Sequence, residues 1–464
     1  MRNVVLLCLD TVRKDYFDRF APRLQERADV IYDQCRAVSS WSVPSHASMF
    51  TGGLPSDNGI HAYNRDFSGL AREDTFMGDL EGYRTLGVSA NVWASSAFGF
   101  DGMFDEFSDI SPDRRFPDGI HVGQFGQDCE AEGVRKQLAF LQAALAHEYP
   151  LQSLANGGLV QFDDVTARLP IPKPLDDGAK SLTKRARSMI DGGDEPFFLF
   201  ANLMDAHGPL RHILGFDRDL HDAPLGWTSE TVSWTDVLDR RDEELIERYR
   251  GLYGASIDYL DRVVCAFVDA VQAATDRETT FVITADHGDN LGHDGDDHQW
   301  GHIRSSLSEA LLHVPQLVLD APESMGRVDG YVSHLALGDL LVGLASDDLP
   351  DVTRERIPAE RVGYSGKLHR METVSPEKNR TLRCVYEGDR KYVWDADGRR
   401  EVYRLDPNRP SWQTRVDEEF EVEHYESDLF SSPLSEFADR LGNEAGAPDV
   451  DAATENRLRD LGYM

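Results

Sequence analysis

The stretch NVVLLCLDTVRKDYF, residues 3–17, places a short apolar run directly before a carboxylate. Val4 to Leu9 are apolar without interruption, Asp10 follows, and a polar turn comes next. A continuous apolar run of this length is typical of a strand that is buried on both faces of a parallel sheet. The stretch therefore predicts a central strand with Asp10 at its carboxyl end.

The same pattern occurs twice more along the chain. Polar residues follow an apolar run in both FFLFANLMDAHGP and TTFVITADHGDN: Phe197 to Leu203 precedes Asp205 and His207, and Thr280 to Thr284 precedes Asp286 and His287. Ligands of open α/β sheets bind beyond the carboxyl ends of the strands. Three strands that end in this way predict an organised site at one edge of the sheet.

Amphipathic stretches separate these strands, at 131–149, 179–190 and 247–274, with apolar residues spaced three and four apart. Alternation of strands and helices predicts an α/β fold with a mostly parallel central sheet flanked by helices. We expect a catalytic domain over residues 1–345, within which 108–178, rich in Asp, Gly and Pro, is a possible insertion.

The pattern of the sequence changes after about residue 345, from alternating strands and helices to charged loops and short strand-like runs. Short strand-like runs span Arg380 to Tyr386, Lys391 to Trp394 and Glu401 to Leu405, and the turn DADG joins the last two. The tail ATENRLRDLGYM has the pattern of a closing helix. We therefore expect residues 346–464 to form a C-terminal subdomain with a small antiparallel sheet and that helix.

The composition is strongly acidic, with 48 basic and 82 acidic residues and a net charge of −34. Only eight of the basic residues are lysine. Such a surface repels nucleic acid and anionic membranes, so neither is an expected partner. Acid excess with scarce lysine favours a high-salt cytoplasm, as in a halophilic archaeon, over an ordinary acidic mesophile protein.

Membrane insertion and secretion are also not expected. No window approaches about 18 consecutive apolar residues, and the apolar run near the N-terminus is too short for a secretory signal. The five cysteines are scattered without CxxC spacing, which argues against a disulfide framework. These features predict a cytoplasmic protein, and they do not predict its oligomeric state.

The stretch WSVPSHASMFTG, residues 41–52, holds a candidate nucleophile in Ser42. Taken alone, Ser42 before a proline is most often a structural helix cap. An Asp at a strand end is usually a cap or turn former, and His207 and His302 have the alternative reading of hydrogen-bonded loop histidines. The order of these residues along the chain favours a joint function.

Together the residues predict a metal-assisted group transfer. Asp10, Ser42, Asp286 and His287 offer a mixed oxygen and nitrogen site for one divalent cation, which would lower the pKa of the serine hydroxyl. The catalytic histidines we expect, which donate to the transferred group or protonate the leaving group, are His46, His207 and His302. A phosphoryl or sulfuryl group fits such a centre.

The ordered motifs LDTVRKD, SVPSHASMFTG with LPSDNGI, GYRTLGVSANVW with FDEF, MDAHGP, and TADHGDNLGH with WGH and VPQLV resemble the sulfatase family of the alkaline phosphatase superfamily. YEGDRKYVWDADGRREVYRLDPN and RLRDLGYM look like that family's C-terminal subdomain. The resemblance implies an alkaline-phosphatase-like sandwich. It also implies a metal held by Asp10, Asp286 and His287, with Ser42 at the nucleophile position and touching the same ion.

The resemblance leaves the metal open. In sulfatases the ion is typically calcium, and in phosphate-transferring relatives it is more often manganese, zinc or magnesium. His287 stands where many sulfatases have Asn, which favours the second group. A second ion near Asp205, His207 and His302 is a further alternative.

The departures from the family pattern bear on the reaction. Sulfatases carry a Cys/Ser-x-Pro-Ser-Arg motif whose first residue becomes formylglycine, and here the motif reads Ser-x-Pro-Ser-His, with His46 in place of Arg. Thr11 follows Asp10 where many members have a second Asp. The middle Lys and His have no match in SANVWA, where Asn91 is the nearest polar residue.

Three functions follow from this pattern. The first is hydrolysis of sulfate monoesters by Ser42, modified to formylglycine or unmodified. The second is phosphate ester hydrolysis or phosphoryl transfer through a phosphoserine at Ser42. The third is an inactive family member used for binding. The expected substrate is a sulfate or phosphate ester of a small molecule, glycan or lipid.

Overall fold

The computed structural model describes all of the chain except residues 168, 192, 194, 367–378, 442–449, 462 and 464. Its strands in chain order are β1 Asn3–Leu9, β2 Val30–Arg36, β3 Arg84–Ser89, β4 Glu106–Asp109, β5 Phe197–Leu203, β6 Thr279–Thr284, β7 Gln316–Leu319, β8 Gly326–Ser333, β9 Arg356–Val362, β10 Thr381–Glu387, β11 Arg390–Asp395, β12 Arg400–Leu405 and β13 Gln413–Val416. Its α-helices are α1 Lys14–Phe20, α2 Pro22–Arg27, α3 Ser42–Thr51, α4 Pro55–Asn58, α5 Val122–Asp128, α6 Gly133–Ala146, α7 Pro150–Thr166, α8 Ala179–Met189, α9 Trp234–Arg240, α10 Glu243–Gln272, α11 Glu309–Leu312, α12 Leu337–Ala345, α13 Val422–Leu429, α14 Leu434–Leu441 and α15 Ala452–Asp460.

The large sheet has eight strands in the order β4-β3-β5-β1-β6-β7-β2-β8. All neighbouring strands are parallel except β7, which is antiparallel to both β6 and β2. The α/β fold predicted from the sequence, with a mostly parallel sheet flanked by helices, is confirmed. The three strands whose polar ends were singled out, β5, β1 and β6, lie side by side in the middle of this sheet.

Burial explains why these strands are apolar along their whole length. Every residue of β1, β5 and β6 is buried, because helices cover the sheet. Helix α8 contacts β3 and β5, and α12 contacts β1. Truncating a buried leucine such as Leu6 to alanine in a core of this kind costs about 2–5 kcal/mol.

The second sheet is antiparallel, in the order β13-β12-β11-β10-β9. Three of its strands, β10 to β12, coincide closely with the predicted short runs, and β9 and β13 extend the sheet at its two edges. The small C-terminal antiparallel sheet is therefore confirmed. Strand β9 contacts β8, so the small sheet packs beside one edge of the large one.

The segment 108–178 is mostly helical, with α5, α6 and α7 packed on one another. Near the C-terminus, α15 packs on α5, and Leu458 and Tyr463 are buried against the core. Gly462 and Met464 of the tail motif lie outside the described residues. Among the helices of the described chain, none has the length and apolar character needed to cross a membrane.

Candidate active site

The site lies where the central strands end, as the sequence predicts. Asp10 directly follows β1, and Asp286 lies two residues after β6. Because β1 and β6 run parallel and pair Cys8 with Thr284, their carboxyl ends present both carboxylates at the same edge. The fold thus brings together two of the predicted metal ligands from positions far apart in the sequence.

Asp10, Asp286 and His287 form what we call the acceptor cluster. All three are fully buried, and one ligand atom from each lies within 4.8 Å of the others. Nδ1 of His287 donates to the carbonyl of Gly288 at 2.7 Å, so Nε2 carries the free lone pair. That lone pair lies 3.5 Å from Oδ2 of Asp286 and 3.3 Å from Oγ of Ser42.

The acceptor cluster fits a divalent cation. Oδ1 of Asp10 and Oδ2 of Asp286 are buried and have no hydrogen-bond partner among the described residues. Burial and the charge of Asp286 raise the pKa of Asp10 well above its usual range. Two buried carboxylates that each leave one oxygen without a donor are costly, and a bound cation would remove that cost.

Backbone and amide groups hold the two carboxylates in place. Asn91 donates to Oδ2 of Asp10 at 2.5 Å. The amide of Thr11 donates to Oδ1 of Asp286 at 3.2 Å, and to do so Thr11 adopts φ of +61°. A β-branched residue rarely takes this left-handed conformation, and such strain is typical of functional sites.

Ser42 is buried and is the first residue of α3, with Trp41 at the N-cap in extended conformation. Ser42 is therefore not the cap, and Oγ is directed to His287. His46 lies one turn further on, where Nδ1 donates to the carbonyl of Ser42 at 2.8 Å and Nε2 faces Asn202 at 3.2 Å. Both nitrogens of His46 thus engage protein groups, which fixes the backbone at Ser42.

His207 and His302 lie together beside the acceptor cluster, with ring centroids 5.2 Å apart. Nδ1 of His302 donates to Asp289 at 3.0 Å, which leaves Nε2 as an acceptor. The hydroxyl of Tyr463, from the C-terminal tail, lies 2.8 Å from Nε2 of His302 and 3.2 Å from Nε2 of His207. Since a phenol has one proton, the shorter contact to His302 receives it.

Asp205, the third strand-end carboxylate, faces away from the acceptor cluster. Its two oxygens accept the backbone N–H groups of Asp177 and Ala179, each at 3.1 Å, at the start of α8. It thus plays the capping role that an Asp at a strand end often has. The alternative of a second ion held by Asp205, His207 and His302 has no support in this geometry.

Several residues of the site were not predicted. Asn202 lies inside the apolar run of β5. A polar residue in a fully buried strand can indicate function, but the run was interpreted as uniformly apolar. Asp289 orients His302, and its pKa is raised to about 6 by burial. Tyr463 gave no signal, because nothing in the tail sequence indicates that a residue so distant in sequence reaches the site.

Comparison with known proteins gives one family and a set of distant structures. The profile of the family described as Sulfatase matches residues 2–347. No curated protein matches the chain. A 2-O GAG sulfatase has a similar structure, with 14% identity, 99% of this chain and 96% of that chain covered, and a TM-score of 0.59.

Two other solved structures are similar to the same degree. A phosphonate monoester hydrolase from Silicibacter pomeroyi has 14% identity, 99% and 96% coverage, and a TM-score of 0.58. A putative sulfatase from Bacteroides thetaiotaomicron has 13% identity, 98% and 96% coverage, and a TM-score of 0.57. At these identities the likeness concerns the fold alone. The profile match covers well over half of the chain, and on that ground the chain belongs to the sulfatase family.

Proposed function

We propose that the protein is a metal-dependent hydrolase of sulfate monoesters, with Ser42 at the position of the nucleophile. The observation that carries the proposal is the acceptor cluster beside Ser42. Two buried carboxylates with unpartnered oxygens and the free lone pair of His287 converge within 4.8 Å. A divalent cation bound there would supply Lewis-acid stabilisation of the nucleophile and of the transferred group.

The charges around Ser42 favour a singly charged transferred group. The two carboxylates balance one divalent cation, and His207, His287 and His302 have pKa values lowered to about 3–4 by burial, so they are neutral near pH 7. No lysine or arginine among the described residues forms an ion pair with Asp10 or Asp286. A sulfate monoester carries one negative charge at the reacting group, whereas a phosphate monoester carries up to two.

The residues of the chain have distinct roles in this reaction. Oγ of Ser42 attacks the sulfur, the bond from sulfur to the leaving oxygen breaks, and that oxygen must gain a proton. Water then attacks the sulfur of the sulfoserine, the bond from sulfur to Oγ breaks, and sulfate leaves while Ser42 regains its proton. His302 holds a proton acceptor at Nε2, and Asp289 at Nδ1 keeps the ring oriented and stabilises it when it is charged. On this basis we assign to His302 the transfer of the proton from the attacking oxygen to the leaving oxygen.

His207 and His46 have supporting roles in the proposal. Nε2 of His207 faces the same hydroxyl of Tyr463 as His302 does, so it would contact the leaving-group side of the substrate. His46 replaces the arginine of the family motif, and it contacts protein groups through both nitrogens. We therefore assign His46 to positioning Ser42.

A second candidate function is the hydrolysis or transfer of phosphorus esters through a phosphoserine at Ser42. The observation that favours it is His46 at the arginine position of the formylglycine motif, because an unmodified serine forms phosphoserine readily, whereas turnover through an unmodified sulfoserine is difficult. The phosphonate monoester hydrolase among the similar structures is consistent with this chemistry.

Mass spectrometry of the proteolytic peptide that contains Ser42 tests both candidates. Formylglycine would appear as a loss of about 2 Da before any substrate is added. A trapped ester would appear as a gain of about 80 Da after incubation with an aryl sulfate or an aryl phosphate. The substrate that produces the gain, or the faster turnover, identifies the transferred group.

The matched control is Ser42→Ala, which should lose turnover of both esters and keep the bound metal. Turnover by Ser42→Ala at the rate of the unchanged protein would remove Ser42 from the role of nucleophile. Absence of both turnover and bound metal in the purified protein would favour the third alternative, an inactive member that binds a ligand.

A further inference from the structure

Two buried arginines, Arg65 and Arg361, lie beside the candidate active site without a counter-ion; we call them the arginine pair. Both have no exposed surface. Arg65 donates to the carbonyls of Ala62, Tyr364 and Gly366, and the groups that accept from Arg361 are carbonyls and hydroxyls. In the described part of the chain, neither guanidinium pairs with a carboxylate.

A buried cation without a counter-ion is costly, and here two lie close together. Burial lowers the pKa of both arginines to about 9, and for Arg361 the charge of Arg65 adds to the effect. Desolvation of an ion inside a protein costs several kcal/mol unless an opposite charge compensates for it. The arginine pair therefore has the electrostatics of an anion-binding site.

Unpartnered donors occur on Arg65 and on the two indoles that the arginines contact. Nη1 of Arg65, Nε1 of Trp41 and Nε1 of Trp93 are all buried and have no hydrogen-bond partner among the described residues. The guanidinium carbon of Arg65 lies 5.1 Å from the ring centroids of both indoles, and that of Arg361 lies 5.5 Å from Trp41. Such N–H groups, with no acceptor of their own, are suited to the oxygens of an anion.

The arginine pair borders the active site through the elements that hold the catalytic residues. Arg361 donates to Oγ of Ser40, two residues before Ser42, and to the carbonyl of Ile303, directly after His302, each at 3.1 Å. The ring of Trp93 lies 5.3 Å from that of Tyr463, whose hydroxyl contacts His302. An anion at the arginine pair would therefore neighbour the group bound at Ser42 without replacing it.

We propose that the arginine pair, with the indole N–H groups of Trp41 and Trp93, forms a subsite for a second anionic group of the substrate. This inference rests on the proposed function, because it names a substrate with two anionic groups. One of them, the ester, is cleaved at Ser42. The other, a sulfate, phosphate or carboxylate on the same molecule, binds the arginine pair and orients the ester.

Binding of inorganic sulfate tests the subsite without any need for turnover. The metal-loaded protein is titrated with sulfate by calorimetry, and tryptophan fluorescence reports the anion near Trp41 and Trp93. We expect two sulfate ions per chain. Arg65→Met should bind one and lose the fluorescence change, whereas Asp286→Asn should lose the other ion and keep the fluorescence change.

Two further variants distinguish loss of the subsite from misfolding of Arg65→Met. Trp93→Phe keeps an aromatic ring and removes only one donor, so sulfate affinity at the subsite should fall several-fold. Arg415→Met removes a largely exposed arginine and should bind two sulfates as the unchanged protein does. The subsite would be overturned if Arg65→Met bound two sulfates. It would also be overturned if the unchanged protein bound a single sulfate and Asp286→Asn bound none.

Turnover of two aryl sulfates separates this inference from the proposed function. One aryl sulfate carries a ring carboxylate and the other does not. We expect the unchanged protein to have a KM at least about tenfold lower for the carboxylated ester, and Arg65→Met to lose that preference. Two bound sulfates without any turnover would refute the proposed function alone, whereas turnover with one bound sulfate and no preference would refute the subsite alone.

Discussion

The acceptor cluster and the arginine pair are opposite in hydrogen-bonding character, although the first contacts Ser42 and the second contacts Ser40, two residues before it. Asp10 and Asp286 present carboxylate oxygens that lack donors, and His287 presents a lone pair. Arg65 and the indoles of Trp41 and Trp93 instead present N–H groups that lack acceptors. Each arrangement gathers buried polar groups that would form hydrogen bonds with water if they were exposed. On the two proposals above, the difference means that the buried polar groups near Ser42 would suit two ligands of opposite charge.

The largest expected effect comes from breaking the acceptor cluster. Asp286→Asn removes a carboxylate that we propose as a metal ligand and should lower kcat/KM by at least about a thousandfold, together with loss of the bound metal. The measurement is metal content by elemental analysis alongside turnover of an aryl ester. The control is Asp397→Asn, at an exposed turn, and unchanged metal in Asp286→Asn would refute the site as drawn.

A smaller effect, on the free energy of unfolding, should come from removing the bound cation or the bound sulfate. If the cation binds only the folded acceptor cluster, as proposed, chelation should lower the free energy of unfolding by about 3 kcal/mol relative to a metal concentration of about 100 times Kd. Sulfate should stabilise Arg65→Met less than the unchanged protein. Denaturant unfolding checks both, and an unfolding midpoint indifferent to chelator would contradict the metal site.

His61 is a buried histidine outside both clusters. Its protonation should destabilise the fold at low pH independently of any change at the acceptor cluster. Burial lowers the pKa of His61 to about 4, whereas in the unfolded chain it is about 6.5. As the pH falls below about 6.5 the unfolded chain binds the proton first, so stability present above that pH is lost progressively towards pH 4. The expected loss from His61 is about 2 kcal/mol at pH 5.

His61→Gln should flatten that part of the pH dependence, as measured by denaturant unfolding between pH 7 and pH 5. The matched control is His298→Gln, since His298 is largely exposed. An equal pH dependence in His61→Gln and the unchanged protein would assign the acid sensitivity to other groups, including those of the acceptor cluster.

The smallest expected effect concerns Tyr463, which lies near both clusters. Tyr463→Phe keeps the ring beside Trp93 and removes the hydroxyl that occupies Nε2 of His302. Loss of one hydrogen bond of about 1 kcal/mol should lower KM for an aryl ester about fivefold. A rise in KM would instead show that the hydroxyl contacts the substrate.

The sequence predicted the fold and the acceptor cluster because both depend on local patterns. The apolar runs before Asp10 and Asp286 specify buried parallel strands, and parallel strands bring their ends together. The sequence could not show that Asp205 caps α8, since strand-end carboxylates that bind ligands and those that cap helices look alike. The high-salt origin rests on composition alone.

The arginine pair was not predictable for a different reason. Arg65 and Arg361 are almost 300 residues apart, and each lies in an ordinary polar context in the sequence. Only tertiary packing reveals that they share Trp41 and lack carboxylates among the described residues. The value of a buried charge depends on what surrounds it, and periodicity contains no information about those surroundings.

Tyr463 gives the site a tethered competitor. Its phenol hydroxyl occupies the acceptor of His302 at a concentration set by the chain rather than by the solution, and short tethers give effective concentrations in the millimolar range. For a substrate that needs Nε2 of His302, the measured KM would be the intrinsic dissociation constant divided by the fraction of molecules in which the hydroxyl of Tyr463 has left that nitrogen.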